Sequence, residues 1–180
     1  MTQPPVAFSP VDLTLRDGRS VTVRAVEPGD RDGIQAALRN LSAESRYSRF
    51  MSALRELSPQ MLDRATQPNP ERELQLVAVA GASGQGEIVA GARYSGAAGS
   101  TDCEFAIAVT DAWHGQGLAR QLLETLMRAA RERGFERMEG YILASNSRML
   151  GLARRLGFVQ VASPEGPTVC MVRCDLGRTV

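Results

Sequence analysis

Residues 103–120, CEFAIAVTDAWHGQGLAR, decide the fold, because they join a strand to a helix through a turn that contains two glycines. The first part, residues 104–109 (EFAIAV), has no polar alternation after Glu104, which is typical of a strand covered on both faces. Gly115 and Gly117 interrupt the pattern. Apolar residues then recur at helical spacing: Leu118, Leu122, Leu123, Leu126, Met127 and Ala130. The stretch therefore predicts a buried strand, a turn and a long helix that ends near Arg133.

The turn before this helix is suited to an anion. A helix start carries unpaired backbone N–H groups and the positive end of the helix dipole. Gly115 and Gly117 place no Cβ in the way of a phosphate that approaches the backbone. The signatures of a P-loop and of a dinucleotide-binding turn are both absent. The turn is therefore either a phosphate site or a tight connection whose glycines serve the turn geometry.

Two motifs, in the right order, resemble those of a known family. Residues 114–119, HGQGLA, resemble the Q/R-x-x-G-x-G/A pattern of the GCN5-related N-acetyltransferases (GNAT), in which this turn holds the pyrophosphate of acetyl-CoA. Residues 146–150 (NSRML), followed by LGF at 156–158, are similar to a second segment of that family. Residues 104–106 (EFA) and 45–50 (SRYSRF) resemble its protein-lysine-acetyltransferase branch. The resemblance covers roughly residues 12–175, nearly the whole chain.

The resemblance implies a mixed α/β fold, with a mostly antiparallel sheet, a central parallel pair that splays apart, and flanking helices. We expect a flexible lead-in over residues 1–11 and one acetyltransferase domain over residues 12–180. The segments before residue 70 are predicted to form a hairpin around Asp17-Gly18 and three helices, which the resemblance makes one wall of the acceptor site.

The resemblance also implies which residues hold acetyl-CoA. Backbone groups of the organising strand would bind the pantetheine arm: Ile107, Ala108 and Val109. Main-chain groups of the turn would bind the pyrophosphate: His114, Gly115, Gln116, Gly117, Leu118, Ala119 and Arg120. His114 stands where the family usually has Gln or Arg. Asn146 is an N-cap, a contact to the pantetheine, or both.

Glu104 is the predicted general base. A carboxylate buried in a strand covered on both faces is costly unless it is paired or faces a cavity, and desolvation makes a carboxylate a better base for an ammonium substrate. The alternative is that Glu104 lies in water at the strand edge or pairs with an arginine. Many family members carry a Tyr that protonates the leaving thiolate at the position of Ala153, and Tyr141 and Ser147 are the substitutes that the sequence offers.

These features predict an N-acetyltransferase in which a primary amine attacks acetyl-CoA directly. The acceptor is either a protein lysine side chain or a small amine. A non-catalytic acyl-CoA-binding module that regulates a partner is the rival interpretation, since function depends on the site and not on the fold.

Composition narrows the class further. The chain has 180 residues, 43% of them hydrophobic and 23% charged, with a net charge of +1, so we expect one soluble globular domain that binds no nucleic acid. The three cysteines form no CxxC motif and only one histidine is present, which argues against a disulfide framework or a metal site. Since neither a signal peptide nor an 18-residue apolar run is visible, we expect a cytoplasmic monomer or homodimer with no membrane contact.

Overall fold

The computed structural model describes residues 7–81 and 84–177. Its strands are β1 (Val11–Thr14), β2 (Ser20–Ala25), β3 (Glu73–Ala80), β4 (Ile88–Ser95), β5 (Asp102–Val109), β6 (Arg137–Leu143), β7 (Val159–Val161) and β8 (Val169–Asp175). Its α-helices are α1 (Arg31–Arg39), α2 (Ala43–Phe50), α3 (Pro59–Thr66), α4 (Leu118–Glu132) and α5 (Ser147–Arg155). Short 3₁₀ turns cover Pro28–Asp30 and Asp111–Trp113.

One mixed sheet contains all eight strands of the described ranges, in the order β1-β2-β3-β4-β5-β6-β8-β7. Every neighbouring pair is antiparallel except β5 and β6, which are parallel and connected through α4. The predicted fold class, a mostly antiparallel sheet with one parallel pair, is confirmed.

The parallel pair separates after three residues. Residues 102–104 of β5 pair with residues 137–139 of β6, and no further pairs join the two strands. Phe105 is the first residue beyond the paired part, and its ring packs over Gly140 so closely that an added Cβ would overlap it. The same ring meets Phe158 edge-to-face, with centroids 5.3 Å apart. An aromatic side chain therefore occupies the point where the strands part.

Helices cover both faces of the sheet. The main core contains Leu122, Leu123 and Leu126 of α4 together with alternate residues of the strands. A smaller cluster on the other face packs Val77 and Val79 of β3 against α1. Because side chains alternate between the faces of a strand, β5 directs Phe105 to the α4 face and Glu104, Ala106 and Ala108 to the face of α1, α2 and α3.

The three helices predicted before residue 70 are present as α1, α2 and α3. Ser42 and Ser58 accept hydrogen bonds from the backbone of Ser45 and Met61, as N-caps do. The prediction that β5 is covered on both faces along its length is wrong, because residues 106–108 are only half-buried. The predicted lead-in, residues 1–11, lies outside the described residues up to residue 6, and Val11 already belongs to β1. None of the helices in the described ranges has the length and hydropathy needed to cross a membrane.

Candidate active site

The start of α4 is open to a ligand. Gly115 and Gly117 adopt φ angles of +75° and +88°, a region that disfavours any side chain. Gly117 is the N-cap of α4, and no side-chain hydrogen bond caps this helix. The first backbone N–H groups of α4 therefore lack acceptors within the helix. An added Cβ on Gly115 would meet nothing within 4 Å, so backbone conformation rather than space requires glycine here.

The predicted pyrophosphate contacts surround this helix start. Leu118 is buried in the main core, and the others keep some solvent exposure: His114, Gly115, Gln116, Gly117, Ala119 and Arg120. The side chain of Arg120 pairs with Glu124, with 3.0 Å between Nε and Oε1. Main-chain groups of the turn and the side-chain amide of Gln116 are thus left to meet an anion, together with any side chain from elsewhere in the fold.

The hairpin of β1 and β2 supplies such a side chain. The backbone N–H of Arg16 donates to the carbonyl of Gln116, and the Arg16 Nε atom lies 3.6 Å from the position of a Cβ on Gly117. Arg19 stacks over the Trp113 ring at 3.9 Å and donates to a carbonyl in the turn. Arg19 is thereby occupied, whereas the exposed Arg16 guanidinium bonds to no group of the described residues. Arg16 is therefore positioned to meet an anion at the start of α4.

His114 holds the turn together. Its Nε2 atom lies 2.8 Å from the carbonyl oxygen of Val109. Because a carbonyl oxygen can only accept, Nε2 donates and carries the proton. The ring thus ties the turn to the end of β5 and occupies one backbone acceptor of the predicted pantetheine site. The backbone edge of Ile107 and Ala108 that faces β6 stays outside the ladder.

Two helix starts meet at the open end of the splay. Since β5 and β6 are parallel, their carboxyl ends lie at the same end of the sheet, and α4 and α5 begin there. The side chain of Asn146 caps α5 by accepting from the backbone of Met149 at 3.1 Å. The N-cap prediction for Asn146 is confirmed, while its contact to pantetheine stays a prediction.

Ala153 takes no part in an open site. It is fully buried in the main core, where this chain uses the position for packing. Tyr141 of β6 is half-buried beside the splay, on the same sheet face as Glu104. Burial and the negative charges of Glu104 and Glu139 raise the pKa of the Tyr141 phenol, so it keeps its proton at neutral pH. Ser147, the other substitute acid, lies exposed in the first turn of α5.

Glu104 is exposed, so the expectation of a desolvated carboxylate is wrong. Glu104 is not buried because β6 departs from β5 just beyond it and leaves this side of the strand open. Its neighbours in register are Ser95 on β4 and Glu139 on β6. Glu139 is held by Arg173, with 2.6 Å between Nη2 and Oε1, whereas Glu104 has no hydrogen bond or ion pair within the described part of the chain. Glu104 is thus an accessible, unpaired carboxylate at the base of the splay.

A cavity of about 310 Å³ lies between α1, α2, α3 and the sheet. Ala106 and Ala108 of β5 form part of its floor, one and two steps along the same strand face from Glu104. Arg49, Arg64 and Arg93 also line it, and no described acidic residue does. Burial and the positive charge of Arg93 lower the pKa of Arg49 to about 10, against the opposing effect of Glu104.

The described residues show no other reactive centre. Cys103, Cys170 and Cys174 are buried free thiols, and burial raises the pKa of Cys103 to about 12. No His, Cys, Asp and Glu side chains in the described ranges are grouped so that they could hold a metal ion.

A parallel pair that splays beside an uncapped, glycine-bearing helix start defines the class of acetyl-CoA-dependent N-acetyltransferases. Comparison with known proteins agrees: residues 36–158 match the model of the acetyltransferase (GNAT) family. An acetyltransferase of Pseudomonas aeruginosa is 31% identical over 163 residues, which make up 91% of this chain and 88% of that protein. The chain belongs to the acetyltransferase (GNAT) family.

Solved structures share the architecture. The GNAT domain of S. lividans PAT superposes with a TM-score of 0.85 at 30% identity, over 92% of this chain and 96% of that one. The yncA protein of Salmonella typhimurium, solved with its cofactor acetyl-CoA, has a TM-score of 0.70 at 20% identity, over 88% and 95% of the two chains. The family inferred from HGQGLA is confirmed.

Sequence reasoning missed three arginines that the fold brings to the site. Arg16 reaches the turn from a hairpin about one hundred residues earlier, and nothing local signals this contact. Arg49 stands in the SRYSRF segment, and Arg93 is a lone charge in the apolar strand EIVAGARY. That charge was a usable signal, because an arginine inside an apolar strand needs a partner or a cavity.

Proposed function

We propose that the chain transfers the acetyl group of acetyl-CoA to a primary amine by direct attack, with Glu104 as general base. The observation that carries the proposal is the uncapped start of α4 at the open end of the splay between β5 and β6. Backbone N–H groups there suit the pyrophosphate. Arg16, which lies over the same turn, adds a cation for a phosphate.

The splay accommodates the pantetheine arm. Past Glu104, the edge of β5 that faces β6 has backbone groups with no strand partner, so Ile107 and Ala108 offer hydrogen bonds to the amides of the arm. Asn146 stands at the same end, beside the start of α5. An arm that runs inward from the α4 turn would bring the thioester toward Glu104.

The amine would approach from the cavity on the face of α1, α2 and α3. Glu104 is exposed, so a water molecule can lie between its carboxylate and the amine and relay the proton. Bound acetyl-CoA supplies the thioester, from which the amine takes the acetyl group while coenzyme A leaves. Tyr141 is the candidate that returns a proton to the thiolate, because its phenol stays protonated and it lies beside the splay. A thiolate also leaves without an acid, since its reference pKa is near about 8.5.

A thiol-release assay with acetyl-CoA, a panel of small amines and a set of lysine peptides tests the proposal. We expect release that depends on the amine, and an increase of about tenfold in the KM for acetyl-CoA in Arg16→Met, because one charged contact to phosphate is lost. Arg128→Met is the matched control, since Arg128 lies exposed on α4 away from its start. If acetyl-CoA binds and no amine accelerates thiol release, the chain is the non-catalytic acyl-CoA-binding module.

A further inference from the structure

Arg49, Arg64 and Arg93 line the acceptor cavity, and within the described ranges no acidic side chain is hydrogen-bonded to any of the three. Arg93 projects from β4 on the face that lies toward α2, and its Cα partners are Gln75 and Ala106. Arg49 reaches the same cavity from the last turn of α2, where its guanidinium lies over the Phe50 ring at 4.7 Å. Neither arginine makes a hydrogen bond or an ion pair with any residue in the ranges 7–81 and 84–177.

This arrangement is unfavourable in the absence of a ligand. Burial and then the charge of Arg93 lower the pKa of Arg49, and the charge of Glu104 offsets this effect only in part, so the two guanidinium groups repel each other. Other arginines of the chain are compensated: Arg24 pairs with Asp30 at 2.8 Å and Arg137 with Asp102 at 2.8 Å. A buried or half-buried charge is normally paired. An anion in the cavity would supply the counter-charge that no side chain bonded to Arg49 or Arg93 provides.

The charges are separated in the way a zwitterion requires. Glu104 lies one step before Ala106 along the same face of β5, and Arg93 lies beside Ala106 on β4. Adjacent residues on one strand face are about 7 Å apart and adjacent strands about 5 Å. The negative end of the site is therefore at the splay, where the thioester would lie, and the positive end is inside the cavity. An acceptor with an ammonium at one end and an anion at the other fits this order.

The size of the cavity favours a small acceptor. Its volume of about 310 Å³ is at the lower end of the range for small-molecule sites. Phe50, Leu57 and Met61, from α2, the following loop and α3, line it with apolar side chains. These apolar walls would strengthen the attraction between an anion and the two arginines by excluding water.

We propose that the acetyl acceptor is a small primary amine that carries an anionic group, a carboxylate or a phosphonate, bound by Arg93 and Arg49. This inference rests on the proposed function and gives that function a substrate class. The hydrogen-bond donors of the two guanidinium groups suit the oxygens of either anion.

The test compares acceptors that differ only in the anion. Straight-chain ω-amino carboxylates and ω-amino phosphonates of increasing length are assayed beside the alkylamines of the same length. For the best chain length we expect kcat/KM to exceed that of the neutral amine by roughly 10- to 100-fold, the effect of charge-assisted hydrogen bonds. The preference should weaken at high salt. The two anion series distinguish a carboxylate acceptor from a phosphonate acceptor.

Substitutions of Arg93 and Arg49 test whether these two residues cause the preference for the anionic amine. Arg93→Met and Arg49→Met should each remove most of it by raising KM for the anionic amine far more than KM for the alkylamine of the same length. Arg93→Lys should restore part of it. Arg128→Met, on the opposite face of the sheet, should keep all of it. Arg93 is exposed, so its replacement should leave the fold intact, and its variant tests the preference independently of the half-buried Arg49.

The outcomes separate this inference from the proposed function. Equal kcat/KM for charged and neutral amines, or turnover of lysine peptides alone, would overturn the inference and leave the acetyltransferase intact. If no amine is turned over, the proposed function fails, and calorimetry with coenzyme A present decides the inference. Binding of an anionic amine that Arg93→Met abolishes supports it, and absence of such binding refutes it.

Discussion

Glu104 is made available by the geometry of the sheet and not by desolvation. It is the last residue of β5 that pairs with β6, it is exposed, and its neighbour in register, Glu139, is already held by Arg173. Of these two carboxylates on adjacent strands, only Glu104 is free to take a proton from water. The catalytic assignment therefore depends on position, and it stays a prediction that mutation must test.

For Glu104→Gln we predict a fall in kcat of roughly 10²-fold with acetyl-CoA affinity nearly unchanged, because the base is lost and the binding groups are elsewhere. The loss should shrink at high pH, where more of the amine is already deprotonated. Glu139→Gln is the matched control and should change kcat little. Steady-state kinetics between pH 6 and 9 measure kcat for both variants. Wild-type turnover by a folded Glu104→Gln variant would remove Glu104 from the mechanism.

Arg49 should reduce the stability of the ligand-free protein. Burial and the charge of Arg93 lower the pKa of Arg49 to about 10, so below about pH 10 the fold holds a charged guanidinium in an unfavourable place. One pKa unit corresponds to about 1.4 kcal/mol. We expect Arg49→Met to raise the free energy of unfolding at neutral pH by about 1–2 kcal/mol, since Met keeps much of the packing of the arginine stem.

The pH dependence of this effect has a definite sign. Above about pH 10 the unfolded wild type retains a proton that the folded wild type has begun to release, so the free energy of unfolding of the wild type rises with pH. The difference in the free energy of unfolding between Arg49→Met and the wild type should therefore become smaller above pH 10. Urea unfolding near neutral pH and again above pH 10 measures both values. A variant that is less stable than wild type at neutral pH would show that Arg49 is compensated.

At the scale of elements, sequence predicted what depends on local patterns. The apolar stripe of α4 and the N-cap of α5 at Asn146 are set within a few residues, and both were found where expected. Two features are not local. The insertion of β8 between β6 and β7 depends on pairing across distant segments. The exposure of residues 106–108 depends on where β6 leaves β5, which the run EFAIAV does not encode.

The close packing of Phe105 on Gly140, where β5 and β6 separate, can be tested by mutation. Gly140→Ala would place a Cβ inside the ring of Phe105, so we expect a loss of about 1–3 kcal/mol in the free energy of unfolding from overpacking. Gly151→Ala is the control: its Cβ would lie 3.5 Å from Arg155 Nη1, within α5, and should stabilise by up to about 1 kcal/mol through helix propensity. Equal unfolding midpoints for Gly140→Ala and wild type would show that Phe105 does not hold the splay.

At the scale of the whole molecule, the proposed function gives acetyl-CoA and the amine separate routes to one reaction centre. Acetyl-CoA would enter between β5 and β6 from the end where α4 and α5 begin, and the amine would enter through the cavity under α1, α2 and α3. The sheet separates the two paths until they meet near Glu104. Cys103, the nearest thiol in sequence, is buried with a pKa raised to about 12, which makes it a poor nucleophile for a covalent step. Both substrates should therefore be bound together before transfer.

Initial rates of thiol release, measured while acetyl-CoA and the amine are both varied, test this central claim most directly. Direct transfer needs a ternary complex, so the double-reciprocal lines should intersect. Parallel lines, the pattern of a covalent acetyl-enzyme formed before the amine binds, would contradict the account.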